Sequence, residues 1–373
     1  VTAIDDRRGD ARAGTRTPLL RARNLVQEFP ARAAGGVKGG VVHAVSNVSF
    51  DIYPGETLGV VGETGSGKST LARSVIQAPR PKSGAVEFQG RDLMTLRRRD
   101  LKQARRQMQM VYQDPFGSLN PRWRVTELVE EPLRGYGEGN ADSRRRRVAE
   151  LLDLVGLDPS QYGRRRPFEL SGGQCQRVAI ARAIALDPAL VIADEAVSSL
   201  DVLIQAQVLN LFEKLRRELD LSYLFIAHDL AMVKQVSDRV AVMYLGQLAE
   251  IGPAQDIYRR PLHPYTAALL ESIPRVDPVT GTAHKPTALP GEPPSPIDPP
   301  SGCRFRTRCP RSQLRCAEVD PVLEERLPGH QVACHFPLDL PDPAMPPGPA
   351  GATLAPAPVP ASATDPAPTA QTS

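Results

Sequence analysis

The chain has 373 residues, 41% of them hydrophobic and 24% charged, with a formal net charge of +4. On a soft prior of ~150 residues per domain this is one large domain or two, long enough to bury a real core, which excludes a mini-protein stapled by disulfides. No apolar run approaches the ~18–20 residues of a membrane helix, and so small a net charge does not by itself argue for nucleic acid.

The first 18 residues are polar and patternless and read as disordered. They lack the apolar stretch of a secretory leader, so a cytosolic, reducing compartment is expected. An extended segment is predicted from Leu19 to Phe29, then a Gly-rich turn or loop over 34–40. Two strand-like runs follow, VVHAVSNVSFDI at 41–52 and ETLGVV at 56–61, separated by Pro54-Gly55. Residues 70–77 have helical spacing, Val86–Phe88 with Gln89-Gly90 read as strand and turn, and Met108–Tyr112 as a short strand. Residues 125–220 are predicted mostly helical, with stops at Pro132, Pro159 and Pro167 and a break at Gly172-Gly173. Strands return at Leu190–Ala193, Leu224–Ala227 and Val240–Tyr244. Strands alternating with helices predict an α/β fold with a largely parallel sheet.

Of the 37 prolines, 11 fall in residues 1–250 and 26 in residues 251–373, so two differently built parts meet near residue 250. Residues 337–373 are dominated by Pro, Ala, Thr and Ser and read as a disordered tail. The arginine runs at 97–99, 144–147 and 164–166 read as solvated helix faces and loops rather than phosphate-binding patches, with no RNA- or DNA-binding motif beside them. Nucleic acid is therefore not an expected partner.

Residues 62–69, Gly-Glu-Thr-Gly-Ser-Gly-Lys-Ser, fit G-x-x-x-x-G-K-[ST] between a predicted strand and a predicted helix, the context the motif requires. Gly62, Gly65 and Gly67 let the backbone, with Glu63, Thr64 and Ser66, curl its N–H groups toward phosphate, and the helix that Thr70 continues adds its dipole. Lys68 is then placed to reach the β- and γ-phosphates and Ser69 to ligate Mg²⁺. Farther on, the apolar run Leu190–Ala193 ends in Asp194-Glu195. Asp194 at the strand's C-terminal edge can hold Mg²⁺, and Glu195 can polarise the attacking water as general base.

Between these elements lies Leu170-Ser171-Gly172-Gly173-Gln174, followed by a helical run. With both phosphate motifs in this order, the sequence resembles the ATP-binding cassette (ABC) ATPases, whose signature is Leu-Ser-Gly-Gly-Gln. Ser171 and the N–H groups after it would cap a helix able to face a γ-phosphate. The resemblance implies that they face the nucleotide of a second subunit, so that two cassettes close around two ATP molecules. It further implies that Gln113 is the Q-loop glutamine, contacting Mg²⁺ and water, that Ser198–Asp201 is the D-loop at the dimer interface, and that His228 is the switch histidine. The adenine-stacking aromatic of the family falls on Phe29, with His43 the second choice. Ala196 departs from the proline common after the catalytic glutamate; Glu195 is intact, so hydrolysis is expected.

The implied fold is a P-loop ABC ATPase core over residues 19–250, with a mixed sheet and a helical signature subdomain. Residues 251–336 follow as a small extension, carrying His263-Pro264-Tyr265-Thr266 and the cysteines Cys303, Cys309, Cys316 and Cys334. This part resembles the C-terminal extension of oligopeptide and dipeptide importer ATPases, a subfamily that includes nickel importers; the likeness covers about residues 20–336. Clustered thiols in a reducing compartment read more naturally as metal ligands than as disulfides. Their spacing, C-x5-C-x6-C-x17-C, lacks the tight pairs usual for zinc. A [4Fe-4S] cluster, zinc and no metal all stand open, and the resemblance favours the cluster. Cys175 reads as a packed helix residue.

The expected function is an ATP-hydrolysing subunit at the cytoplasmic face of a membrane, energising peptide uptake through permease subunits. A second, related ATPase is the expected partner, and an extracellular solute-binding protein acts indirectly. Import of nickel or another small solute, and a non-transport cassette ATPase, are the alternatives.

Overall fold

The computed structural model describes residues 17–31, 40–273, 275–276, 283–284 and 291–338. The expected disordered segments 1–18 and 337–373 lie outside these residues except at 17–18 and 337–338, as does most of the Gly-rich loop.

Strand β1 (Leu20–Pro30) pairs antiparallel with β2 (Val41–Ile52), and β3 (Thr57–Val61) leads through the glycine loop into helix α1 (Lys68–Val75). Then come β4 (Ser83–Phe88), the two-residue β5 (Arg91–Asp92), α2 (Arg98–Arg106) and β6 (Met108–Val111). A helical stretch holds the single turn α3 (Pro115–Ser118), α4 (Val125–Tyr136), α5 (Ala141–Leu154), α6 (Pro159–Tyr162) and α7 (Gly172–Ala183). The α/β alternation resumes with β7 (Leu190–Asp194), α8 (Val202–Leu219), β8 (Ser222–Ile226), α9 (Leu230–Val236), β9 (Arg239–Tyr244) and β10 (Gln247–Pro253). Helices α10 (Ala254–Arg259) and α11 (Pro264–Glu271), the short pair β11 (Arg275–Val276) and β12 (Ala283–His284), helix α12 (Arg315–Glu318), and strands β13 (Glu324–Leu327) and β14 (His330–Val332) complete it.

The main sheet has the order β13-β14-β10-β9-β3-β8-β7-β6. The five strands from β9 to β6 are parallel, and β10, β14 and β13 add antiparallel. The sheet is thus mixed. A second, antiparallel sheet has the order β2-β1-β4-β5. The central strands β3, β7 and β8 are buried along their whole length and mostly apolar because both faces are covered. Their side chains alternate between two cores: Tyr223 and Phe225 of β8 face the helical side with Phe212, while Leu224 and Ile226 face the side shared with Leu20, Phe50 and Leu71.

Pro132 does not stop a helix; it lies inside α4. Proline removes the donor for the Leu128 carbonyl, but Val125, Leu128, Val129 and Leu133 form one buried stripe, and that packing outweighs the local penalty. Pro159 and Pro167 open short helical turns, where a missing N–H costs nothing, and Gly172 opens α7. The expected boundary at residue 250 falls inside β10, whose Glu250 pairs with Val242 on one side and Val332 on the other. Two arginine runs engage neighbours: Arg144 binds Glu130, Arg145 binds Asp142, Arg147 binds Asp187, and Arg165 lies over the Tyr162 ring.

Candidate nucleotide site

Because β3, β8, β7 and β6 are parallel neighbours, their C-terminal ends share one edge, the usual ligand edge of such sheets. That edge carries the glycine loop after β3, His228 beyond β8, Asp194-Glu195 at the end of β7, and Gln113 beyond β6. Sequence positions as far apart as Gly62 and His228 meet there for a topological reason.

The loop's backbone needs glycine at its two ends. Gly62 has φ 153° and Gly67 φ 101°. A Cβ at Gly62 would lie 2.0 Å from the Met243 carbonyl, and one at Gly67 2.0 Å from the Ala44 carbonyl. Inside this curl the Lys68 ammonium donates to the carbonyls of Gly62 (2.8 Å) and Glu63 (3.0 Å) and stands 3.9 Å from Glu195 Oε1. Burial lowers the Lys68 pKa, against the pull of Glu195, Asp194 and Glu63. Ser69 Oγ donates to Asp194 Oδ1 at 2.7 Å. Asp194 is 3% exposed, and burial raises its pKa; the Ser69 hydrogen bond and the charge of Arg73 oppose that rise. Ser66 Oγ is buried without a hydrogen-bond partner among the described residues.

These observations fit a phosphate chain with its cation. The curl excludes side chains; among the described residues Ser66 Oγ lacks a partner and Lys68 has only carbonyls and a distant carboxylate to satisfy it; and Ser69 and Asp194 form an oxygen pair suited to Mg²⁺. Glu195 has φ 50°, in the left-handed region, and its N–H donates to the Ile226 carbonyl at 3.0 Å. This turn swings the carboxylate off the strand axis and toward Lys68. Gln113 and His228 are exposed at the same edge. Thr64 and Gly65 are exposed at the loop tip, and Thr70 is half-buried in α1.

The signature lies elsewhere. Ser171 caps α7, accepting from the Gln174 N–H at 3.3 Å, while Gln174 Oε1 accepts from the Ser171 N–H at 3.0 Å. A Cβ on Gly173 would lie 2.5 Å from Ile204, so this helix start packs against that of α8, which Asp201 caps by accepting from the Ile204 N–H at 3.0 Å. Among the described residues no hydrogen bond or ion pair joins Ser171–Gln174 or Asp201 to the phosphate loop. Val202 and Leu203 beside them are each 77% exposed. Phe29 is 37% exposed on β1, and His43 on β2 lies opposite Glu28. Alternation puts the two adenine candidates on opposite faces of the strand pair, so only one of them can face a given base.

Two residues to which the sequence reading gave no role at the phosphate loop touch it. The Glu63 N–H donates to Tyr265 Oη at 2.9 Å, and the Glu63 carboxylate receives both Arg308 nitrogens, at 2.7 and 3.0 Å. The only signals were Tyr265 in the HPYT motif and Arg308 beside Cys309.

The four extension cysteines line one cavity with His263, Phe305 and His335. Burial raises the thiol pKa of Cys303 and of Cys334 to about 11 and also raises that of Cys309. Among the described residues, however, no group of three or more His, Cys, Asp or Glu is disposed to hold a metal ion, so the side chains as placed do not form the expected iron-sulfur centre. His335 places Nε2 2.8 Å from the Val319 carbonyl. Cys175 is buried in α7 with its thiol directed at the Pro167 carbonyl.

A family model described as ABC transporter matches residues 45–198, and one described as oligopeptide/dipeptide transporter, C-terminal region, matches residues 249–316. The dimeric post-hydrolysis structure of the ATP-binding cassette MJ0796 bound to ADP and Pi superposes with TM-score 0.56 and 27% identity, covering 63% of this chain and 98% of that one. The cbiO1 structure from Clostridium perfringens gives TM-score 0.56 and 25% identity over 65% of this chain and 91% of that one. Fold, site and these likenesses define a cassette ATPase, which hydrolyses ATP. The oligopeptide transport ATP-binding protein AppF of Bacillus subtilis is 47% identical over 87% of this chain and 99% of its own length. The oligopeptide transport ATP-binding protein OppF of Salmonella typhimurium is 50% identical over 78% of this chain and 87% of its own. The chain belongs to the oligopeptide/dipeptide transporter family of ABC ATPases.

Proposed function

We propose that this chain is the ATPase subunit that energises uptake of oligopeptides or dipeptides through membrane permease subunits. The observation that carries the reading is the pairing of the Lys68–Ser69–Asp194–Glu195 constellation with an extension matching the peptide-transporter C-terminal region. Lys68 binds the phosphates, while Ser69, Asp194 and Gln113 hold Mg²⁺, which when bound neutralises charge on the phosphate oxygens. Glu195 takes the proton of the attacking water, and His228 contacts the γ-phosphate. Phe29 stacks on the adenine.

One chain supplies half of each site. The surface of Ser171–Gln174 and Asp201, with Ser171, Asp201, Val202 and Leu203 exposed, completes the site of a second ATPase, and a related but different partner chain is the expected one. The segment from Gln113 to Arg165 meets the permeases, holding the protein at the cytoplasmic face; among the described residues no helix is long and apolar enough to cross a membrane. Solute reaches the permeases from an extracellular binding protein.

The test is hydrolysis by the assembled transporter, stimulated by peptide-loaded binding protein. Glu195→Gln should retain ATP binding and lose at least ~10²-fold in turnover, and near-normal turnover would remove Glu195 from its role. A nickel-loaded binding protein stimulating where peptide does not would reassign the solute.

The extension's four thiols are proposed to hold an iron-sulfur cluster. Their lining of one cavity and the family resemblance favour this, against the lack, among the described residues, of a group of three or more ligands disposed to hold a metal ion. Anaerobically purified protein should contain iron that Cys303→Ser removes; finding neither iron nor zinc refutes a metal centre.

A further inference from the structure

Glu63, second residue of the phosphate loop, is held on three sides. Its carbonyl receives Lys68 Nζ at 3.0 Å and the Ser66 N–H at 3.1 Å. Its N–H points away from the loop's interior to Tyr265 Oη, so that N–H is not offered to a phosphate. Its carboxylate meets the Arg308 guanidinium in a two-point fork, and the Arg308 side chain is only 4% exposed. Both holders come from the C-terminal extension. Tyr265, Tyr244 and Phe305 pack together with ring centroids 4.7–5.2 Å apart, so Tyr265 has a fixed position. Arg308 also donates to Tyr244 Oη at 3.4 Å and sits between Phe305 and Cys309, on the segment that walls the thiol cavity.

We propose that Arg308 and Tyr265 are positioning residues for the phosphate loop, through which the C-terminal extension sets the affinity for nucleotide. The inference rests on the reading of residues 62–69 as the ATP-phosphate site. Two physical effects act together. Tyr265 fixes the Gly62–Glu63 peptide so that the Gly62 carbonyl faces Lys68, which keeps the ammonium at the loop's centre. Arg308 neutralises a carboxylate that otherwise stands at the mouth of a site for a polyanion. Neither residue touches the transferred phosphoryl group, so their effect falls on binding rather than on turnover at saturation.

The test is MgATP titration of the full chain by calorimetry, with hydrolysis measured in the assembled transporter. Binding by the unaltered chain comes first, since its absence would sink the reading of the loop and not the role of Arg308. Arg308→Ala should weaken MgATP binding roughly tenfold while changing the saturated rate by less than about threefold. Arg308→Lys, which keeps the charge without the fork, should lie between, and Tyr265→Phe should weaken binding several-fold. Adding Glu63→Gln to Arg308→Ala should recover much of the loss, because the uncompensated carboxylate is then gone. A merely structural arginine would not be rescued this way. Unchanged affinity in Arg308→Ala, or losses that add in the double variant, overturns the proposal. Should Arg308→Ala fail to fold, Tyr265→Phe and Arg308→Lys carry the test, and normal affinity in both overturns it equally.

Discussion

Glu250 fastens the extension to the cassette, and its removal should be costly. The side chain is fully buried in β10. Its carboxylate accepts from the Leu262 N–H at 2.7 Å and the His263 N–H at 3.0 Å, and lies 2.6 Å from His330 Nε2 on β14. Glu250→Ala strands three buried groups. At about 1–3 kcal/mol for each such group, with water entering the vacated space to hold the sum down, the loss is about 3–6 kcal/mol. For a folded unit of this size that corresponds to a fall in melting temperature of roughly 5–10 °C. Urea unfolding followed by circular dichroism measures it, and limited proteolysis within 291–338 shows whether the extension detaches first. Glu250→Gln keeps an oxygen for one side of the cluster but turns an amide NH₂, itself a donor, on another donor, so an intermediate loss is expected. A change below about 1 kcal/mol for Glu250→Ala would refute the claim that these contacts hold the extension.

Two further predictions concern charge. Burial raises the Asp194 pKa, so the folded chain favours the protonated form; that contribution is present below the unfolded value of about 3.9 and lost as pH rises through the folded one. At pH 7 the ionised Asp194 therefore weakens the nucleotide-free fold. Asp194→Asn should raise the melting temperature without nucleotide and abolish Mg²⁺-dependent hydrolysis; a lower melting temperature with normal hydrolysis would contradict both. Burial drives the His263 pKa down to about 4, against the charge of Glu250. The unfolded chain takes up that proton near 6.5 and the folded chain only near 4, so the stability this group contributes is complete above 6.5 and is lost as pH falls toward 4. The loss amounts to about 3 kcal/mol. His263→Asn, which can still cap α11, should flatten the fall in urea midpoint between pH 7 and 4.5, and parallel profiles for the two proteins would refute the assignment.

The central strands and the phosphate loop were legible in the sequence because their signals are local. Apolar runs of five residues bounded by turns can only be buried strands once helices intervene, and the glycines of 62–69 are demanded by their own backbone. Pro132 misled because a local rule predicts a break where a buried stripe on both sides sustains the helix. The cysteines were seen as a cluster and do share a cavity, but spacing along a chain does not set the distances that metal ligation requires.

The sequence by itself determined the chemistry available: a loop that accepts phosphate, a serine and two carboxylates for cation and water, and a capped signature helix. Tertiary structure alone decided which of these meet. Parallel ordering of β3, β8, β7 and β6 brings Lys68, Asp194, Glu195, Gln113 and His228 to one edge, while the signature remains on another surface. It also brought Arg308 onto Glu63 across 245 positions of sequence, a contact no motif encodes. Such a pairing depends on the packing of β14 on β10 and of Tyr265 on Phe305, and packing is a property of the whole fold.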